Sequence, residues 1–263
     1  MAKTLGIRIT EIFDQNVSLF ESAISDKDRQ WTVKGFIDIL QNIYPMTSDT
    51  KVVSKVLEML IMPIFLHSIK GRDLKVEFAE HQNHYPDLTV IDTKTNEMIA
   101  IDIKSTYYTG SDTVNGFTLG AFTGYFRERT STKNTTYPYA SYQAHLVLGI
   151  IYNKKSVPEA EVFSLTELNE IPSVASDFKF LLQPKWAIAT DRPGSGNTKN
   201  IGSINDVNNL VAGKGPFTKF SNPEAVFDDY WMNYLTSDMA RTIESKVVYN
   251  NIDTYLKSKK VPE

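Results

Sequence analysis

The strongest constraint on the fold is a strand, turn and strand pattern between residues 87 and 104. Two runs rich in β-branched residues, Leu88–Ile91 and Met98–Ile103, flank a polar stretch. This order of segments is typical of a β-hairpin. If the turn is centred midway between the two runs, Asp87 faces Asp102 across the hairpin.

Alternation along the strands assigns each side chain to a face. Because successive side chains of a strand point to opposite faces, Lys104 shares the face of Asp102. The sequence therefore predicts one face that carries two carboxylates and an amine, and another that forms the core. The residues predicted for the core face are Leu88, Val90, Ile99, Ile101 and Ile103.

Two carboxylates that face each other repel, and a divalent cation between them removes the repulsion. Mg²⁺ suits such a site, since it is usually held by one or two carboxylates together with phosphate oxygens. A lysine beside the ion can orient a nucleophile or offset developing charge. The pattern favours Mg²⁺-dependent phosphodiester hydrolysis. From spacing alone, a solvated hairpin with an accidental Asp pair fits equally well.

The string Pro86-Asp87…Asp102-Ile103-Lys104 resembles the PD-(D/E)xK nuclease motif, and surrounding segments narrow the resemblance to the EcoRV-type restriction endonucleases. The similarity runs from about Tyr44 to Tyr234. Segments similar to that family, in the same order, are Tyr44-Pro45, Ser48–Val52, Gln82–Asp87, Ile99–Lys104, Phe117–Gly120, Glu167–Pro172 and Gly194–Thr198.

The resemblance implies a fold and an activity. The expected fold is α/β or α+β, with a central mixed β-sheet flanked by helices, in a U-shaped homodimer. The expected activity is Mg²⁺-dependent hydrolysis of both strands of duplex DNA at the palindrome GATATC, leaving blunt ends. Each subunit would cut one strand, so a palindromic site implies a two-fold dimer. Two alternatives stay open: a repair or junction-cleaving nuclease of the same superfamily, and a non-catalytic sequence-specific DNA-binding protein.

The catalytic candidates are four residues. Asp87 and Asp102 are the predicted metal ligands, and Lys104 assists the attacking water or the transition state. Glu58 lies beside the apolar stripe of a helix predicted to begin near Thr50. Only the resemblance singles out Glu58, as a further acidic residue that supports metal or water positioning and as a third candidate metal ligand.

Two loops are predicted to contact DNA. The loop Gly194–Thr198 combines glycines, which let backbone approach closely, with short polar groups that can pair with base edges. The resemblance assigns this loop to the major groove and the loop before Pro86 to the minor groove. A zinc site at His81 and His84 is disfavoured, because no further Cys or His lies nearby. The complete set of DNA-contact candidates is Gln82, Asn83, Gly194, Ser195, Gly196, Asn197, Thr198, Asn200, Thr50, Lys51, Thr106 and Thr123.

Composition bounds the remaining expectations. The 263 residues, 41% of them hydrophobic, predict one domain over residues 1–263 with a DNA-binding and catalytic subdomain and a smaller dimerisation subdomain. The absence of cysteine excludes disulfides, thiol nucleophiles and Cys-based zinc sites. With no signal-peptide pattern, the expected location is the cytoplasm, without membrane association.

The net charge of −3 is unusual for a DNA-binding protein. We therefore expect a surface of both signs with a positive cleft. Lys199 stands where the family has threonine, and Met232 and Thr236 stand where it has arginines, which bears on phosphate contacts. The local basic clusters are Arg127–Lys133, Lys154-Lys155, Lys214–Lys219 and Lys257–Lys260.

Secondary structure elsewhere follows from capping residues and periodicity. A helix is predicted from Thr50, with Ser48 or Asp49 as its N-cap and Pro63 bending or ending it. The predicted buried strands are Ala144–Tyr152 and Trp186–Ala189. The other predicted helices are Ser203–Val211, Asn222–Asn233 and Ile243–Leu256.

Overall fold

A computed structural model of the chain describes residues 3–81, 83–157, 161–194 and 199–259. The helices are α1 (Leu5–Ile24), α2 (Thr50–Ile69), α3 (Lys185–Ile188), α4 (Val207–Ala212), α5 (Pro223–Asn233), α6 (Ser237–Thr242) and α7 (Ile252–Lys259). The strands are β1 (Gly35–Ile37), β2 (Ile43–Pro45), β3 (Leu74–Phe78), β4 (Leu88–Asp92), β5 (Met98–Tyr107), β6 (Thr118–Ala121), β7 (Ala144–Lys154), β8 (Ala175–Pro184), β9 (Ala189–Pro193) and β10 (Asn200–Ser203). Short 3₁₀ helices cover Gly124–Phe126, Tyr139–Ser141, Leu165–Glu170 and Pro216–Lys219.

The largest sheet has five strands in the order β3-β4-β5-β7-β8. The β5–β7 pair is parallel, and the other neighbours are antiparallel. A smaller antiparallel sheet has the order β6-β10-β9, and β1 and β2 form a separate hairpin. The predicted mixed sheet with flanking helices is confirmed.

The hairpin of β4 and β5 has the predicted register. Leu88 pairs with Ile101, and Val90 pairs with Ile99. At the turn, the Asp92 carboxylate accepts hydrogen bonds from the backbone N–H groups of Lys94 and Thr95 and from the Arg8 side chain. The hydrogen bond from Arg8 is the largest of the effects that lower the pKa of Asp92 to about 2.

Each face of the large sheet packs against its own core. On the first face, α1 and α2 cover the five residues predicted for the core, all of which are buried. Val53, Leu57, Ile61 and Phe65 face this core from α2, four residues apart, as helical geometry requires.

The opposite face is also covered, which corrects the prediction that it carries only polar chemistry. Thr89 and Ala100, from that face, are completely buried. The second core contains Leu119 and Ile201 from the smaller sheet and is rich in aromatic residues, among them Tyr230 and Trp231 of α5. The carboxylates of Asp87 and Asp102 therefore lie at the edge of this second core.

Helix α2 begins at Thr50 with Asp49 as its N-cap, as predicted, because the Asp49 carboxylate accepts from the N–H groups of Lys51 and Val52. It does not end at Pro63 but continues to Ile69. Met59, whose carbonyl loses its helical partner through Pro63, is exposed, so water can solvate that oxygen.

By length and composition alone, α2 is also apolar enough to span a membrane. Its buried residues, however, pack in the first core beside α1 and the large sheet. The core helix of a soluble domain has the same composition.

Three other secondary-structure predictions need correction, while Ala144–Tyr152 and Asn222–Asn233 match β7 and α5 closely. Trp186–Ala189 is mostly the short helix α3, because the chain turns after Pro184 before β9 begins. Ser203 pairs in β10, so the next helix starts only after the N-cap Asp206.

The C-terminal helix is shorter than predicted. The segment from Ile243 was predicted to be helical as far as Leu256, but α7 starts only at Ile252. Glu244 has a φ of 53°, which lies outside the right-handed helical region and stops helical geometry just after α6.

Candidate active site

Three charged side chains meet where β4 begins beside the middle of β5. Asp87 immediately precedes β4, and its Oδ2 accepts a 2.7 Å hydrogen bond from the Ile103 N–H. The Nζ of Lys104 lies 2.7 Å from Oδ2 of Asp102 and 3.7 Å from Oδ2 of Asp87. The hairpin register thus brings two carboxylates and one ammonium group to a single point.

The electrostatics of this point leave negative charge in excess. Burial and the nearby Asp102 raise the pKa of Asp87 to about 7, although Lys104 and the Ile103 N–H act in the opposite direction. Burial disfavours the charged form of Lys104, but the attraction of Asp102 and Asp87 outweighs it and raises the Lys104 pKa. Two carboxylates therefore share one lysine, and a further cation would relieve their repulsion.

The donor set suits Mg²⁺ better than a metal that needs many protein ligands. Within residues 3–81, 83–157, 161–194 and 199–259, no group of three or more His, Asp or Glu side chains converges closely enough to enclose an ion. Mg²⁺ needs only one or two carboxylates, since waters and substrate phosphate oxygens complete its coordination. Asp87 and Asp102 fit that requirement.

Glu58 lies near this point without joining it. Its Oε1 is 2.7 Å from Nζ of Lys55, one helical turn earlier on α2. Glu58 and Asp87 line the same groove, about 590 Å³ in volume. The charge of Glu58 contributes to the raised pKa of Asp87, so the two carboxylates interact across the groove.

Comparison with known proteins assigns the chain to a family. The family model of restriction endonuclease EcoRV matches residues 27–260. The chain belongs to the EcoRV restriction endonuclease family. The type II restriction enzyme EcoRV of Escherichia coli is 39% identical over 238 residues, covering 89% of this chain and 93% of that protein.

A solved structure of restriction endonuclease BglI bound to its DNA recognition sequence overlaps less well. The superposed region covers 78% of this chain and 84% of the BglI chain, with 13% sequence identity and a TM-score of 0.40. That overlap is too low to add to the family assignment.

Membership in the EcoRV family makes the chain a type II restriction endonuclease, which is a site-specific deoxyribonuclease that binds DNA. The family generally uses divalent metal ions, in agreement with the paired carboxylates. The open alternatives of a junction-cleaving nuclease and a non-catalytic DNA-binding protein are thereby set aside.

The described part of the predicted recognition loop is its base. Gly194 donates its N–H to the Asn200 carbonyl at 2.8 Å, and Pro193 pairs with Ile201, so β9 and β10 close the loop. Gln82, Ser195, Gly196, Asn197 and Thr198 lie outside the described residues.

The other DNA-contact candidates differ in exposure. Lys51 and Asn83 are exposed, and Thr50 and Thr123 are half-buried. Thr106 is buried, and its hydroxyl has no hydrogen-bond partner within the described chain. The role of each in DNA binding remains a prediction.

Sequence reasoning missed an aromatic cluster behind the carboxylates. Tyr85 stacks on Tyr125, with ring centres 5.0 Å apart, and donates to or accepts from Nδ1 of His145 at 2.8 Å. The buried Lys185 side chain lies against the same rings. The only local signal was the position of Tyr85 next to Pro86, because the other members come from distant segments.

The raised pKa of Asp87 predicts that its ionised form destabilises the metal-free fold. The pKa rises from 3.8 to about 7 on folding, so this destabilisation is absent below about pH 4 and complete above about pH 7. Asp87→Asn removes the charge and keeps an oxygen that accepts from the Ile103 N–H. In EDTA at pH 8, its thermal midpoint should exceed that of the wild type by about 3 °C or more.

At pH 4 the two midpoints should coincide, which provides the internal control. Equal midpoints at pH 8 would contradict the raised pKa of Asp87, which burial and the nearby Asp102 cause.

Proposed function

We propose that this chain cleaves both strands of duplex DNA at GATATC, using Mg²⁺ and leaving blunt ends, as a cytoplasmic homodimer. The observation that carries the proposal is the convergence of Asp87, Asp102 and Lys104 at one point of the β4–β5 hairpin. The extent of the 39% identity to EcoRV, which spans nearly all of both chains, supports the same site and product. The unaltered string Gly194–Thr198 supports the same recognition sequence.

Asp87 and Asp102 would hold the metal ion, with Glu58 as a supporting carboxylate across the groove. Mg²⁺ bound there supplies activation of a water molecule and offsets charge on the phosphoryl group. The hydrogen bond from the Ile103 N–H fixes the Asp87 carboxylate, and the ion pair with Lys104 fixes Asp102.

Lys104 acts as a cation in this proposal. In the metal-free protein, the attraction of Asp102 and Asp87 outweighs the effect of burial and raises the pKa of Lys104, so the amine is protonated at neutral pH. Its ammonium group can donate hydrogen bonds to the attacking water or to the phosphate oxygens in the transition state.

Sequence recognition would use two loops and their flanks. Gly194, Ser195, Gly196, Asn197 and Thr198 would read base edges in the major groove, and Gln82 and Asn83 would reach the minor groove. Thr50, Lys51, Thr106, Thr123 and Asn200 would add contacts around them. The central TA step of GATATC is easily deformed, so bending there would bring the scissile phosphate to the metal.

An exposed apolar hairpin supports the homodimer. The turn between β1 and β2 presents Ile39 and Leu40, which are 98% and 76% exposed, beside the exposed Phe36 and Ile37. A cluster of this kind is unfavourable in a monomer and marks an interaction surface. We infer that β1 and β2 belong to the dimerisation subdomain and pack against a second copy.

Replacing Ile39 and Leu40 together by Asp should convert the dimer to a monomer, because the charges cannot be desolvated in an apolar interface. Sedimentation velocity at micromolar concentration measures the change. Met59→Asp, an exposed apolar position on α2, is the matched control and should leave the dimer intact. A monomeric wild type would contradict the proposal.

A digest of a plasmid that contains one GATATC site tests site, product and catalytic centre together. With Mg²⁺, the wild type should linearise the plasmid and leave blunt ends at the centre of the site. Asp102→Ala should cut at least about a thousandfold more slowly, equivalent to about 4 kcal/mol of lost stabilisation. Asp73→Ala, an exposed carboxylate paired with Lys94, is the control and should cut normally.

Each possible failure identifies a different error. Normal cutting by Asp102→Ala would refute its place in the catalytic centre. Blunt cutting at another sequence would refute GATATC, and nicking of a single strand would refute the two-fold arrangement.

A further inference from the structure

Lys185, the first residue of α3, is a buried cation, and none of the described residues contacts it as a counter-ion. Its side chain is 3% exposed, and its Nζ has no hydrogen-bond partner within the described chain. Burial lowers its pKa to about 8, so the charged form still predominates at pH 7. A buried ammonium group without a partner is costly, and such groups usually serve a function.

Aromatic rings surround this ammonium group. Its Nζ lies 5.4 Å from the ring centre of Tyr85, 5.6 Å from that of Phe126 and 5.8 Å from that of Tyr139. The negative faces of aromatic rings attract a cation at these distances. They stabilise the ammonium group without neutralising its charge.

Strand β6 also passes close to Lys185. A Cβ atom at Gly120 would lie 3.7 Å from Nζ of Lys185 and 3.1 Å from the Tyr125 hydroxyl. Gly120 of β6 therefore lies close to the amine, and its missing side chain leaves room for Lys185. Lys185 cannot swing out to solvent in the way that an exposed lysine can, so its charge is fixed in place.

The fixed charge lies in the neighbourhood of Asp87 and Asp102. Tyr85 is two residues before Asp87 in sequence and forms one wall around Lys185. Lys185 also interacts electrostatically with Asp102 and with Lys104. Lys185 thus adds a second positive charge near the two aspartates and offsets part of the negative charge there.

We propose that Lys185 is a positioning residue that keeps the affinity of the Asp87–Asp102 site for divalent cations low until DNA is bound. The proposal rests on the proposed function, in which these two carboxylates hold the metal. In the DNA-free protein, Lys104 and Lys185 together offset much of the negative charge of the two aspartates, so an incoming cation binds more weakly than it would without Lys185. A DNA phosphate adds negative charge at the same point, and the cation then binds to the carboxylates and to the phosphate together.

The test uses the full-length, DNA-free protein and a cation that needs no turnover as readout. Lys185→Met removes the charge and keeps a long, apolar side chain. Calorimetric titration with Ca²⁺ at pH 7 should show about tenfold tighter binding, or more, than in the wild type. The thermal midpoint in EDTA should rise, because an unpaired buried charge has been removed.

Lys185→Arg is the matched control, since it keeps the positive charge, and its Ca²⁺ affinity should stay near that of the wild type. A structural role alone would lower the thermal midpoint of Lys185→Met and leave the Ca²⁺ affinity unchanged.

The proposal is overturned if Lys185→Met binds Ca²⁺ no more tightly than the wild type, including the case in which both lie below detection. Failure of Lys185→Met to fold also overturns it, because the ammonium group would then be a requirement of the core. Asp102→Ala separates this result from the proposed function. If the double variant Asp102→Ala, Lys185→Met binds Ca²⁺ as tightly as Lys185→Met alone, the error lies in the metal ligands.

Discussion

The repulsion between two carboxylates, held together by the pairing of β4 with β5, is the interaction on which the site depends. The pairing is fixed because apolar residues on both faces are buried, and a shift of one residue would turn each set toward the wrong core and turn the charged side chains toward the first core. The free energy of core packing therefore holds Asp87 and Asp102 near each other despite their charge. The same packing makes the site ready for a cation before any cation arrives.

Two lysines balance the charges of Asp87 and Asp102 in different ways. Lys104 contacts both carboxylates directly and lies at the edge of the buried layer. Lys185 lies deeper, enclosed by rings, and acts only through space. Such a site has the carboxylate oxygens that a metal ion needs, but the two lysines offset part of the negative charge that would retain the ion. A phosphate group of the DNA would supply the missing negative charge, which links metal binding to DNA binding.

Much of this hairpin could be predicted from the sequence, because alternation of apolar residues is a local signal and register follows from it. The strand predicted at Trp186–Ala189 was wrong because four apolar residues are too few to distinguish a strand from a helix. The turn after Pro184 decides in favour of the short helix α3. Burial of Thr89 and Ala100 depends on the smaller sheet, whose packing no local pattern reveals.

Sequence-based prediction also failed for the residues that surround the site. Lys185 is separated in sequence from the rings that surround it, so its burial was invisible before the fold was known. Glu58 is a single acidic residue on an amphipathic helix, and only the family resemblance distinguished it from a solvated neighbour. The local pattern therefore predicted the ligands of the site, whereas the groups that set its charge depended on tertiary contacts.

Anomalous diffraction from crystals of the chain bound to a GATATC duplex with Mn²⁺ tests the central claim most directly. The account predicts an anomalous peak within about 2.5 Å of a carboxylate oxygen of both Asp87 and Asp102, beside a DNA phosphate. A map without a peak there, in which Lys104 alone lies between the two carboxylates, would contradict it.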